Sequence, residues 1–137
     1  MTYLVDANVL SEPTRPSPEP RVIAWLRAHE RELAVDPVIL GELRFGILLL
    51  KKGKKRAALE RWFDAGVARL HCLAWDAQTG LVWAALLARL RTTGTAMPIK
   101  DSFIAATALT HDLTVATRNT ADFGKAGVRV VNPFVER

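Results

Sequence analysis

The sequence predicts a three-layer α/β/α domain, with helices on both faces of a central, mainly parallel sheet of about four to five strands. Short apolar runs with strand propensity alternate along the chain with longer segments of helical periodicity, as in βαβ architectures. The chain has 137 residues, half of them apolar, which suits one domain with a substantial core. Without repeats or interdomain linkers, residues 1–137 are expected to form a single domain.

The first ten residues carry the clearest strand. Tyr3–Val5 is an apolar run that ends at Asp6 and Asn8, as expected where a buried parallel strand emerges from its sheet. Prolines at three positions within residues 12–19 make that stretch a loop, because proline interrupts helices. A helix is predicted from about Pro20, with proline in its first turn.

The later elements continue this alternation. A strand at residues 33–35 leads, through Asp36 as candidate N-cap, into an apolar helix from about Pro37 to Leu50. Glu42 lies in the middle of this helix, where an acidic residue is rarely buried unless it is paired or bound to a metal. The remaining predictions are a helix to about Val67, a weaker strand at 70–73, a helix from Asp76 to about 92–94, a helix opened by Lys100 and Asp101, a strand at 113–117, a loop at 118–123 and a strand at 128–131.

The composition argues against a membrane or secreted protein and is compatible with a polyanionic partner. No apolar stretch is long enough to span a membrane, no signal peptide is recognisable, and Cys72 is the single cysteine, so a cytoplasmic protein is expected. Nineteen Lys and Arg face fourteen Asp and Glu, for a net charge of +5. Such a balance is typical of a soluble surface or of a protein that binds polyanions. Residues 51–56 carry five positive charges, most simply as a solvated helix junction and secondarily as a phosphate contact.

Four acids have related positions. Asp6 follows the first strand, Asp122 lies beyond a later strand, and Asp101 stands in the first turn of the helix before that strand, while Glu42 faces inward from its helix. If the first and penultimate strands are neighbours, these acids converge on one sheet edge, where α/β proteins bind ligands. Four like charges in one pocket need protons or cations, and oxygen ligands without His or Cys select Mg²⁺ or Mn²⁺. Such a site can hydrolyse phosphodiesters.

Each acid also has a purely structural interpretation. A strand-end aspartate is often an Asx-turn or a helix cap, Asp101 could complement a helix N-terminus, and Asp122 could be a turn residue. Glu42 could pair with Arg44 or Arg61. The coincidence of four acids, together with the basic remainder of the chain, favours a nuclease whose surface holds phosphates and whose acidic pit holds metal.

Four motifs are spread along nearly the whole chain. They are Tyr-Leu-Val-Asp-Ala-Asn-Val-Leu-Ser-Glu at 3–12, Leu-Gly-Glu-Leu-Arg-Phe-Gly at 40–46, Asp-Ser-Phe-Ile-Ala-Ala-Thr-Ala-Leu at 101–109 and Thr-Arg-Asn-Thr-Ala-Asp-Phe at 117–123. In this order and spacing they resemble the PIN-domain family and, more narrowly, the VapC/FitB-type toxins of bacterial toxin–antitoxin pairs. The resemblance implies a PIN-like domain whose catalytic, metal-binding acids are Asp6, Glu42, Asp101 and Asp122, with Asn8 and Asn119 in supporting positions that orient ligands or water.

The resemblance further implies a ribonuclease, a homodimer and a cognate antitoxin whose tail inhibits the active site, with the complex bound to operator DNA. Two departures concern ligand orientation. Ile39 stands where many relatives carry Ser or Thr three residues before the glutamate, and Asp36-Pro37 replaces a commoner Ser-initiated helix start. Neither departure removes a proposed ligand.

The predicted function is therefore Mg²⁺-dependent cleavage of RNA, with Mn²⁺ as a substitute, by the toxin of a toxin–antitoxin pair. Asp6, Asp101 and Asp122 would ligate a first metal and Glu42 would orient water or help to bind a second; hydrolysis would leave a 5′-phosphate and a 3′-hydroxyl. An aspartyl-phosphatase would need a second acid two residues after the first, where this chain has Asn8; a phosphoaspartyl receiver would need paired acids there. The strongest non-enzyme alternative is an antitoxin-binding dimer of an operator-binding repressor complex, with little or no nuclease activity.

Overall fold

A single parallel sheet forms the centre of the protein in the computed structural model, which describes residues 1–135. Its strands are β1 (Tyr3–Val5), β2 (Leu33–Val35), β3 (His71–Cys72), β4 (Thr114–Ala116) and β5 (Val130–Val131). Their order is β3-β2-β1-β4-β5, and every neighbouring pair is parallel. The predicted α/β class, with a parallel sheet of four to five strands, is confirmed.

Seven α-helices flank this sheet within residues 1–135. They are α1 (Ala7–Leu10), α2 (Pro20–Ala28), α3 (Pro37–Leu48), α4 (Lys54–Ala65), α5 (Ala77–Thr92), α6 (Ile99–His111) and α7 (Thr120–Lys125). Proline occupies the first position of α2 and α3, where its missing N–H costs no helical hydrogen bond. Across the described residues, no helix is both long enough and apolar enough to cross a membrane.

The central strands β1, β2 and β4 are largely buried, whereas both residues of the edge strand β3 are exposed. Leu4, Val5, Val35 and Val115 have no exposed surface, which explains why the strand segments are continuous apolar runs rather than alternating ones. Strands of two or three residues offer few ladder hydrogen bonds, so the helices packed against them supply much of the apolar burial that holds the sheet.

Several predicted boundaries need correction. Helices α3 and α4 end two residues earlier than predicted, and β5 begins two residues later. Residues 118–123, predicted as a loop, include the start of α7. A six-residue helix is too short for intrinsic propensity to specify it; here the fully buried Phe123 anchors it to the core. The predicted loop at 12–19 contains one short 3₁₀ turn, Glu12–Thr14.

The pairing of β1 with β4 positions the polar residues that follow them. Val5 lies opposite Ala116, so Asp6 and Thr117 leave the sheet side by side. The chain proceeds from β1 to β2 and β3 in one direction across the sheet, whereas β4 and β5 lie on the other side of β1. This reversal beside β1 is the topological switch point at which open α/β sheets bind ligands.

Candidate active site

Together with Asp101, which is equally buried, Asp6 is the most enclosed of the predicted site residues. Only 4% of its surface is exposed, and its Oδ1 accepts a hydrogen bond of 2.8 Å from the Ala7 amide, which makes it the N-cap of α1. Its Oδ2 accepts from the Thr117 hydroxyl at 2.8 Å and from Asn8 Nδ2 at 3.2 Å. Burial raises the pKa of Asp6, the Thr117 and Ala7 hydrogen bonds oppose that rise, and the charge of Glu42 adds to it.

Asn119 joins two further acids. Its Nδ2 donates to Oδ2 of Asp101 and to Oδ2 of Asp122, each at 2.9 Å. Burial, then the charge of Asp6, raises the pKa of Asp101 to about 6. The pKa of Asp122 is lowered by the Asn119 hydrogen bond and by Lys125, whose Nζ lies 3.3 Å from Asp122 Oδ1. The structure thus brings Asp101 and Asp122 together through one amide.

A hydrogen-bonded chain connects this pair to Asp6. The Thr117 hydroxyl, fully buried, donates to Asp6 and accepts from the Asn119 backbone N–H at 2.9 Å. Asn8 provides a second link between Asp6 and the segment after β4, because its Oδ1 accepts from the Arg118 backbone N–H at 3.1 Å. The sequence analysis assigned Thr117 to a strand and gave it no role. Its place at the strand end, within the motif at residues 117–123, was the available signal.

Glu42 reaches the same region from α3 by a different contact. Its Oε2 lies 2.5 Å from Lys100 Nζ, whereas its Oε1 is buried without a hydrogen-bond partner in the described residues. The alternative pairing of Glu42 with Arg44 or Arg61 is wrong: Arg44 instead lies 3.3 Å from Asp64. Lys100, the residue before Asp101, is a second functional candidate that the sequence analysis missed.

Asp36 is a further buried carboxylate, at the end of the neighbouring strand β2. Its Oδ1 accepts from the Ile39 amide at 2.9 Å and its Oδ2 from the Thr107 hydroxyl at 2.7 Å. The predicted N-cap role of Asp36 is confirmed. Burial raises its pKa, and the charge of Asp6 adds to the rise. Its partners lie outside the hydrogen-bonded chain that joins Asp6 to Asp101 and Asp122, so we interpret Asp36 as a structural group.

The arrangement offers carboxylate oxygens held in place by neutral donors and two lysines, Lys100 and Lys125. The acids influence one another electrostatically: the charges of Asp6, Asp122 and Glu42 all raise the pKa of Asp101. Within residues 1–135, no three His, Cys, Asp or Glu side chains form a ready-made metal cluster. The donor set and the unpartnered Glu42 oxygen nevertheless suit a hard divalent cation.

This fold places polar residues at the topological switch point. The N-cap of α1 and acids on α3, α6 and α7 lie around it, and this combination defines a class of protein. The chain belongs to the PIN-domain family: the PIN domain matches residues 3–128.

Individual relatives are similar over nearly the whole chain. Toxin FitB of Neisseria gonorrhoeae is 38% identical over 135 residues, which cover 96% of this chain and 97% of that protein. VapC ribonuclease Y4jK of Sinorhizobium fredii is 33% identical over 135 residues, with 96% of each chain covered. The solved structure of FitAB bound to an IR36 DNA fragment matches with a TM-score of 0.93 and 35% identity, over 99% of this chain and 98% of that one.

Proposed function

We propose that this chain is a divalent-metal-dependent endoribonuclease and the toxin of a toxin–antitoxin pair. The observation that carries the proposal is the hydrogen-bonded chain from Asp6 through Thr117 and Asn119 to Asp101 and Asp122. The names of the relatives, a toxin and a VapC ribonuclease, support RNA as the substrate. The net charge of +5 supports a polyanionic substrate independently.

The groups that would hold Mg²⁺, or Mn²⁺ in its place, are the side chains of Asp6, Glu42, Asp101 and Asp122. The buried, unpartnered Oε1 of Glu42 is the feature that fits a cation best, because a buried polar atom without a partner is costly. When bound, the metal would activate water and stabilise the leaving oxygen of phosphodiester hydrolysis.

The neutral partners have positioning roles in this proposal. Thr117 and Asn8 fix Oδ2 of Asp6, and Asn119 fixes one oxygen each of Asp101 and Asp122. These donors limit carboxylate rotation, and such supporting hydrogen bonds orient metal ligands. Lys100 would partly neutralise the acids while no divalent cation is present.

The same proposal includes an antitoxin partner. The similar solved structure contains a complex, FitAB, bound to DNA, so we infer that this chain also assembles with an antitoxin and, through it, with operator DNA. Large apolar side chains on α3, at its C-cap and on α5 support a homodimer or an antitoxin contact: Phe45, Leu49 and Leu81 are 62%, 70% and 73% exposed. Light scattering of the chain, alone and co-expressed with a candidate antitoxin, measures both assemblies.

The decisive test is cleavage of total RNA and of a defined tRNA panel by purified protein with Mg²⁺, Mn²⁺ or EDTA. The Asp101→Asn variant, purified identically, controls for a contaminating ribonuclease. The Asp36→Asn variant is the matched control, since it neutralises a buried strand-end aspartate outside the proposed metal set.

Discrete fragments that require metal, disappear with Asp101→Asn and persist with Asp36→Asn are the expected result. A folded wild-type protein that binds its antitoxin but yields no fragments sensitive to Asp101→Asn would contradict the nuclease. That outcome would favour the alternative of a dimeric component of an operator-binding repressor complex.

A further inference from the structure

A continuous groove leads away from the acidic centre beside α1 and α3. Its first section, about 300 Å³ in volume, is lined by Asn8 and Glu42 of the centre and also by Thr14 and Leu59. Thr14 and Leu59 line the next section as well, together with Leu50 and Lys55. Leu50 and residues 51–55 line the last section, so shared lining residues connect the candidate active site with residues 51–55.

The far end of this groove, the basic turn of residues 51–55, has the sequence Lys-Lys-Gly-Lys-Lys. All five residues are exposed, and none of the four lysines has a hydrogen bond or ion pair within residues 1–135. The adjacent Arg56 differs, because it donates to the Leu50 carbonyl at 3.3 Å and lies 3.7 Å from Glu60. The basic turn thus presents four unneutralised charges and no apolar side chain.

The electrostatics of the acidic centre suggest a role for the basic turn. Carboxylates at the acidic centre repel a phosphodiester, so a polyanionic substrate needs attractive contacts elsewhere on the same surface. From Glu42 to the end of α3 at Leu48 is six residues, or ~9 Å at helical rise, and Lys51 follows three residues beyond that end. The helical part alone corresponds to roughly three phosphates of one stacked strand.

We propose that the basic turn holds the backbone of a single-stranded RNA whose scissile phosphate lies at the acidic centre. The inference rests on the proposed ribonuclease function and names the surface that supplies substrate affinity. Leu59 and Trp62 make the section nearest the acidic centre mixed in character, but residues 51–55 carry charge without apolar side chains, which favours phosphates over a protein segment at this end. Binding here would not depend on base sequence.

The test measures RNA affinity without cleavage. Fluorescence anisotropy of a labelled short single-stranded RNA is followed in the Asp101→Asn background at several salt concentrations. The test variant carries K51Q, K52Q, K54Q and K55Q; the control carries R27Q, R31Q, R69Q and R91Q, four exposed arginines away from the groove. Both lose four charges, and thermal unfolding verifies that both fold.

The lysine variant should lose roughly tenfold or more in RNA affinity at low salt, and its salt dependence should be shallower by about 0.7 per lost phosphate contact. The arginine control should stay close to the parent protein. Equal losses in the two variants, or no loss in either, would overturn the proposal. So would a lysine variant that binds RNA normally but fails to bind the antitoxin, since the turn would then be a protein-binding surface.

The experiment distinguishes failure of the basic-turn proposal from failure of the proposed nuclease activity. Normal RNA binding and cleavage by the lysine variant would overturn the basic-turn proposal and leave the nuclease standing. Suppose that RNA binds through the lysines with strong salt dependence but the wild-type protein does not cleave it. That result would support RNA binding by the basic turn and contradict the nuclease activity.

Discussion

Two aspartates at adjacent strand ends, Asp6 after β1 and Asp36 after β2, are locally alike. The strands pair in parallel, with Leu4 opposite Ala34. Each aspartate is buried, caps the helix that follows and accepts a hydrogen bond from a threonine hydroxyl. Burial raises the pKa of both.

Their surroundings differ. The carboxylate of Asp36 is satisfied by the Ile39 amide and by Thr107, whose hydroxyl also accepts from Trp75 Nε1 at 3.1 Å. The charge of Glu42 raises the pKa of Asp6, and the charge of Asp6 raises the pKa of Asp101 and, as the smallest contribution there, that of Asp36. Burial, capping and a raised pKa are therefore common to both aspartates; Asp6 differs in its hydrogen-bonded link, through Thr117 and Asn119, to two further acids.

The largest expected difference between the two aspartates is in catalysis. Asp6→Asn should lower RNA cleavage by ~10³-fold or more, comparable to removing other central groups, and should leave thermal stability unchanged or higher, because it removes a buried like charge. Asp36→Asn should retain cleavage within about threefold. Initial rates with Mg²⁺ and melting temperatures of both variants test this. Wild-type rates for Asp6→Asn would remove Asp6 from the site.

The next effect concerns stability and should belong to Asp36. Asp36→Ala removes the acceptor for the Ile39 amide and for Thr107, and unsatisfied buried donors and a lost N-cap together cost about 2 kcal/mol. Asp36→Asn is the matched control, since its amide can accept from Ile39 and donate to Thr107. Urea unfolding should rank the alanine variant below the asparagine variant. Equal stabilities would show that these hydrogen bonds contribute little.

A smaller effect should appear with pH. Because the folded-state pKa of Asp36 is raised above its ordinary value of 3.8, its contribution to stability is fully present below that value and is lost as pH rises through the folded pKa. The stability of Asp36→Asn relative to wild type should therefore increase with pH and then level off. Asp6 and Asp101 titrate in both proteins, so only their coupling to Asp36 remains, and the charge of Asp6 raises the pKa of Asp36 in the same direction as burial does. Unfolding free energies measured without metal from about pH 4 to about pH 8 test the sign; a constant difference would contradict it.

The comparison also shows how far the sequence could predict this protein. The apolar run before Asp6 and the alternation of elements specify the sheet, because continuous apolar runs fit strands buried on both faces. Thr117 was not recognised, since threonine is ordinary in a strand and its hydroxyl matters only once β1 and β4 are adjacent. Lys100 was missed for a similar reason: its contact with Glu42 joins residues 58 positions apart, which neither propensity nor periodicity encodes.

The smallest predicted effect is a change in metal affinity. It should occur at Glu42, near Asp6, and should be absent at Asp36. Since Lys100 lies 2.5 Å from Glu42, a divalent cation using that carboxylate must compete with an ammonium already present. Lys100→Gln should strengthen Mn²⁺ binding about threefold, within the range of partly exposed ion pairs, as measured by calorimetry. Asp36→Asn and Lys54→Gln should each leave Mn²⁺ affinity unchanged. In a Glu42→Gln background, Lys100→Gln should lose most of its effect; an undiminished effect would mean that Lys100 acts through general charge rather than through Glu42.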